Sequence, residues 1–243
     1  MIFILQKKLQ ITVLQMTKKK KIKRKQLIII VISIIVLVLA ATGVIAHIVS
    51  FFSGGSAENR RFDYEKYHVS RPDIFQMFLT KNENSRPGTE LKKVNGIVIH
   101  YTANPGSTAE GNRNYFESRK DESVEDSSNK VSSHFIVGLD GEIIQCIPLN
   151  EVAYASNDRN YDTISIECCH RNKNGKFTEA TYDSLLNLCA WLCDKYELSQ
   201  KDIIRHYDVT GKMCPLYYVR HKDAWIRLKK DIWDRLLSFG VEE

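Results

Sequence analysis

The sequence predicts an α/β protein: a central mixed β-sheet flanked by helices, preceded by one N-terminal transmembrane helix. Three observations carry this reading. Residues 27–46 contain no charged side chain and are dominated by Ile, Val and Leu. Beyond residue 94, short runs of β-branched and aromatic residues alternate with stretches of helical period. Finally, the formal net charge of +6 is concentrated at one end of the chain. Residues 1–50 hold nine Lys/Arg and no acid, leaving 26 basic against 29 acidic residues in the remainder. Positive charge confined to a tail does not indicate a nucleic-acid-binding domain, and no nucleic-acid partner is expected.

Four segments follow in order. Residues 1–26 form a basic cytoplasmic tail with a cluster from Lys18 to Lys25. Met16-Thr17-Lys18 reads as an ordinary start for a signal anchor, so translation is expected to begin at Met16. Residues 27–49 are the anchor itself, because about twenty apolar residues cross the hydrocarbon core as a helix. The lipid bilayer is thus an expected partner. Flanking Lys and Arg stay on the cytoplasmic side, which puts the rest of the chain outside a single-pass cell membrane. A cleaved signal peptide ending near Gly55-Ser56-Ala57 is the alternative, but its apolar core is usually shorter. Residues 50–90 read as an extracytoplasmic linker. It has a flexible joint at Ser53-Gly54-Gly55-Ser56, a short helix over 73–79, and a turn at Ser85-Arg86-Pro87-Gly88.

Residues 91–243 form the main domain. Strands are expected over 96–101, 132–139, 142–147 and 163–169, with Asp140-Gly141 turning the second into the third as a tight hairpin. Helices are expected over 110–118, 179–196 and 222–237. In the second, Tyr182, Leu185, Leu186, Cys189, Leu192 and Cys193 recur at helical spacing and face a core.

The chemistry is concentrated in Arg205-His206-Tyr207-Asp208-Val209-Thr210-Gly211-Lys212-Met213-Cys214-Pro215, read with Ile97-Val98-Ile99-His100-Tyr101. Two histidines and a cysteine are good zinc ligands, and three protein ligands leave one coordination position open, as in a catalytic site. A lysine beside that position stabilises charge developing on an attacked carbonyl. In the strand over 163–169, alternation puts Ser165, Glu167 and Cys169 on one face and Ile164, Ile166 and Cys168 on the other.

Four blocks in order carry a family resemblance: Val98-Ile99-His100-Tyr101-Thr102, Ser133-His134-Phe135-Ile136-Val137, Thr163-Ile164-Ser165-Ile166-Glu167, and the stretch from His206 to Pro215. Over about residues 91–239 the chain resembles zinc-dependent N-acetylmuramoyl-L-alanine amidases of the type-2 amidase superfamily, which also contains peptidoglycan recognition proteins. The resemblance implies that His100, His206 and Cys214 hold Zn2+. It also implies that Glu167 acts as general base toward the attacking water, and that Lys212 polarises the scissile carbonyl. The implied substrate is bacterial peptidoglycan, cut between N-acetylmuramic acid and L-alanine. Some relatives carry a tyrosine where this chain has Ser133. His134 is a competing ligand candidate for which a core role is expected, and Asp208 is expected to orient the loop or a ligand.

Two alternatives stay open at this point: a peptidoglycan-recognition module that does not cut, and a zinc cell-wall peptidase of different bond specificity. The anchor suits polymeric wall outside a Gram-positive-type bacterium. Beyond Cys214, the cysteines Cys146, Cys168, Cys169, Cys189 and Cys193 are odd in number, and mostly buried free thiols are expected.

Overall fold

Strand-forming segments of the main domain assemble into one sheet, as the computed structural model shows for the described residues, 63–240. Its strands are β1 (Phe75–Gln76), β2 (Gly96–Tyr101), β3 (Phe135–Val137), β4 (Ile143–Gln145), β5 (Thr163–Cys168) and β6 (Ile203–Arg205), in the order β1-β4-β3-β5-β2-β6. β3 and β4 pair antiparallel across the Asp140-Gly141 turn, while every other pairing is parallel. Gly141 has φ 91 and a Cβ there would meet Ser184 Oγ at 2.8 Å, so both the turn and the close approach of the next helix require glycine.

The helices are α1 (Ala109–Ser118), α2 (Glu179–Tyr196), α3 (His206–Thr210), α4 (Leu216–Arg220) and α5 (Lys222–Leu237). Threonine hydroxyls begin the two that flank the sheet: Thr108 accepts from Gly111 N–H for α1, and Thr178 accepts from Thr181 N–H for α2. Glu197 closes α2 in the left-handed region.

The period-2 pattern of β2 and β5 divides two cores. Ile97, Ile99, Ile164, Ile166 and Cys168 meet Leu185, Leu188, Leu192, Leu228 and Ile232 of α2 and α5 in the larger one. On the opposite face Ile136, Ile144, Cys146 and Cys169 pack against Ala109 and Phe116 of α1 and against Leu79. Hence the polar side chains of β2 and β5, His100 and Glu167, stand on the α1 face. All six cysteines are buried and unbonded, which for the five other than Cys214 is the expected state.

The expected mixed sheet with surface helices is observed, and α2 and α5 begin and end where the spacing put them. The 73–79 segment differs. It is extended, not helical, because the edge of β4 offers partners: Met77 N–H donates to Gln145 O at 3.0 Å and Leu79 N–H to Cys146 O at 2.9 Å. Alternation then turns Leu79 inward, leaving it 1% exposed. Residues 63–90, read from sequence as linker, therefore belong to the folded unit. Arg86 adds a two-pronged bond to Glu151 at 2.7 and 2.9 Å. The anchor expected at 27–49 lies outside the described residues, as does the tail before it. Among the described residues no helix is long and apolar enough to cross a membrane.

Candidate active site

Parallel strands bring the carboxyl ends of β2, β5 and β6 side by side, the position where open α/β sheets build their sites. His100 comes from β2, Glu167 from β5, and His206 follows β6 directly as the first residue of α3. His100 and Glu167 are register partners across the β2–β5 ladder. A rigid backbone thus fixes two of the side chains, and β6 beside β2 delivers the third.

Cys214 reaches the same point by a chain reversal. α3 stops at Gly211, whose φ of 78 lies in the left-handed region that glycine adopts freely. Cys214 O then accepts from Tyr207 N–H at 2.9 Å, closing the loop beside His206. The result is a buried cluster in which the donor atoms of His100, His206 and Cys214 all lie within 4.8 Å of one another. Cys214 Sγ is 3.8 Å from His100 Nδ1.

Two imidazoles and a thiol are a donor set that suits zinc. Zn–N near 2.05 Å and Zn–S near 2.3 Å require donor separations of about 3.4–3.6 Å, close to the Cys214–His100 distance. Both imidazoles are held neutral, as ligands must be. Burial, the His206 ring and the Lys212 charge hold His100 well below the usual imidazole range. Burial, then Lys212, lowers His206 to about 4. The Cys214 thiol is pushed up to about 12, mainly by burial and secondarily by Glu167.

Glu167 Oε1 lies 3.9 Å from His100 Nδ1, with 17% of the side chain exposed. Burial raises its carboxyl to about 8 against the opposing charge of Lys212. Its Oε2 is buried without a hydrogen-bond partner among the described residues. A buried carboxylate oxygen left alone is costly, so this atom asks for a ligand. Lys212 sits exposed on the rim. All five residues line one cleft of about 750 Å³, with Thr102, Tyr115, Lys130, Tyr154 and Tyr161 on its walls.

Other expected residues lie elsewhere. His134 is a core residue: Ser165 N–H donates to its Nδ1 at 3.0 Å, so Nε2 carries the proton and donates to Glu151 O at 2.9 Å. With both nitrogens engaged it has nothing to offer the cluster. Ser133 is buried and donates to Phe135 O at 2.6 Å. Asp208 accepts from the backbone and guanidinium of Arg205, pinning the start of α3 without touching a histidine.

Sequence reading missed Ser156 and Asn157. Ser156 Oγ is 3.1 Å from His100 Nε2, and Asn157 Oδ1 is 3.3 Å from His206 Nε2. The sole signal was a run of small polar residues, Ser156-Asn157-Asp158, in a loop whose path spacing does not define.

Residues 90–216 match the family model described as N-acetylmuramoyl-L-alanine amidase. The N-acetylmuramoyl-L-alanine amidase CwlL of Bacillus licheniformis is 35% identical over 177 residues, 68% of this chain and 48% of the relative. BlyA, the amidase of the same description from Bacillus subtilis strain 168, is 32% identical over 187 residues with the same shares. The chain spans about half the length of the curated relatives it matches. The solved catalytic domain of XlyA is similar with a TM-score of 0.54 at 26% identity, covering 66% of this chain and 99% of that one. The match to the family model extends over more than half of the sequence, and the chain belongs to the N-acetylmuramoyl-L-alanine amidase family.

Proposed function

We propose that this chain hydrolyses the amide joining the lactyl group of N-acetylmuramic acid to L-alanine in peptidoglycan, with a zinc ion held by His100, His206 and Cys214. The observation that carries the reading is the meeting of three buried donors with one carboxylate and one ammonium group in a single cleft. When bound, zinc supplies Lewis acidity, which makes water a competent nucleophile near neutral pH.

The chain's own residues complete the reaction. Burial raises the Glu167 carboxyl to about 8, and a cation bound by the neighbouring donors would favour its ionised form. In that form Glu167 takes a proton from the attacking water while the water oxygen bonds to the carbonyl carbon. Lys212 places its positive charge beside the oxygen that becomes negative. The carbon–nitrogen bond then breaks, and Glu167 returns the proton to the departing L-alanine nitrogen. No covalent bond to the protein forms.

The proposed setting is the outer face of a bacterial cell membrane, with residues 27–49 as the anchor. Its support is the uncharged run over 27–46 behind the basic cluster from Lys18 to Lys25. Incubating the zinc-loaded full chain in detergent with purified peptidoglycan tests the activity. New N-terminal L-alanine beside intact muramic acid, read by mass spectrometry, is the expected product. Release of any other terminus, or of none with zinc bound, overturns the reading.

A further inference from the structure

The two histidines of the cluster come from different strands, yet their outer nitrogens are engaged by one loop. Ser156 is 1% exposed and places Oγ 3.1 Å from His100 Nε2. Its neighbour Asn157 places Oδ1 3.3 Å from His206 Nε2. An amide oxygen only accepts, so this contact is a hydrogen bond when His206 carries its proton on Nε2, the tautomer that leaves Nδ1 bare. With His100 Nε2 held by Ser156, the atom it turns toward Cys214 and Glu167 is likewise Nδ1.

The loop is built to hold this position. Asn160 Oδ1 accepts from the backbone N–H groups of Ala155 and Ser156, at 3.0 and 2.6 Å. Thr163 Oγ donates to Arg159 O at 2.6 Å, and Arg159 pairs with Asp162 at 2.7 Å, fastening the far end of the loop to the start of β5. Asn157 itself has φ 51, in the left-handed region that asparagine enters more readily than most residues with a side chain. This turn of the backbone is where the side chain that reaches His206 departs.

We propose that Ser156 and Asn157 are the positioning residues of the metal centre, fixing both imidazoles in the Nε2–H tautomer that presents Nδ1 to the ion. Partners of this kind set ring orientation and ligand basicity, and losing one costs about 10–100-fold in metal affinity. The inference rests on the zinc reading above. It goes further by assigning a shared device to residues 56 and 49 positions away from the histidines they hold.

The test uses the full chain and zinc alone, with affinity measured by competition against a chromophoric chelator. Asn157→Gly is the informative truncation, because glycine keeps the left-handed backbone and removes only the amide. Ser156→Ala removes the other partner. Each is expected to weaken zinc binding about 10–100-fold, whereas Asn157→Asp, which retains an accepting oxygen, stays within about threefold of the parent. Long-range proton–nitrogen NMR of the metal-free protein provides a second readout. The parent shows Nε2–H on both rings, and Asn157→Gly mixes the tautomers of His206 while leaving His100 unchanged. Parental affinity and unmixed tautomers in both truncations overturn the inference. A parent that binds no zinc overturns the zinc reading along with it, so the two failures are told apart.

Discussion

His100 and Glu167 face each other as register partners in the parallel ladder of β2 and β5, with Nδ1 and Oε1 3.9 Å apart. Neither side chain depends on a loop for its position, so the separation of imidazole and carboxyl group is set by strand pairing. Removing the carboxylate charge while keeping its shape should therefore leave the donors in place. Glu167→Gln is expected to bind zinc as the parent does and to lose about 10²–10⁴-fold in kcat. Cys214→Ala is expected to lose zinc. Metal content and peptidoglycan turnover measured on both variants check the division of roles, and near-parental turnover in Glu167→Gln would sink the assignment.

Lys212 offers a cleaner separation of chemistry from folding. Its ammonium has no ion pair among the described residues, and the side chain is exposed. Lys212→Met is expected to melt within a degree or two of the parent while kcat falls about 10²–10³-fold. Parallel melting curves and rate measurements decide it, since a structural lysine would move both.

Acid stability should follow His134. Burial lowers its pKa from 6.5 in the unfolded chain to about 4 in the fold. The unfolded state therefore takes the proton first, and stability is complete above about pH 6.5 and declines as the pH falls toward 4. The loss amounts to about 3 kcal/mol from this residue. Urea unfolding of the metal-free protein between those pH values measures the slope, and His134→Gln should reduce it by this residue's share, with His100 and His206, whose pKa values are also lowered, supplying the rest. An unchanged slope in that variant would refute the assignment.

Leu79 tests whether residues 63–90 belong to the domain. Truncating a fully buried leucine costs about 2–5 kcal/mol, whereas the same change in a linker costs nothing measurable. Leu79→Ala is expected to lower the unfolding free energy of the main domain by about 3 kcal/mol, read from denaturant midpoints.

Long periodic segments were legible in the sequence: α2 and α5 declare themselves by spacing, β2 by its run of Ile and Val and β5 by its alternating Ile. The meeting of His100, His206 and Cys214 at one point was also foreseeable, through the four blocks that carry the family resemblance. The 73–79 segment was not. Its local spacing allows a helix, and only the free edge of β4, far away in sequence, draws it into extended pairing. Ser156 and Asn157 were hidden for a related reason. Polar residues in a loop acquire a partner only when the loop's path is known, and that path depends on Asn160 folding back on Ala155 and Ser156. What spacing encodes is a face, whereas what a loop encodes is a destination.

The distance along the chain between His100 and Cys214 has a consequence for biogenesis. They are 114 residues apart, and β6, which delivers His206 beside β2, is among the last parts of the sheet to be synthesised. At about 5–20 residues per second, roughly 6–23 s separate the emergence of the first donor from that of the last. Until then the nascent chain holds isolated histidines that nothing gathers. The three donors can meet only once β6 has joined β2, a delay written into the topology of the sheet.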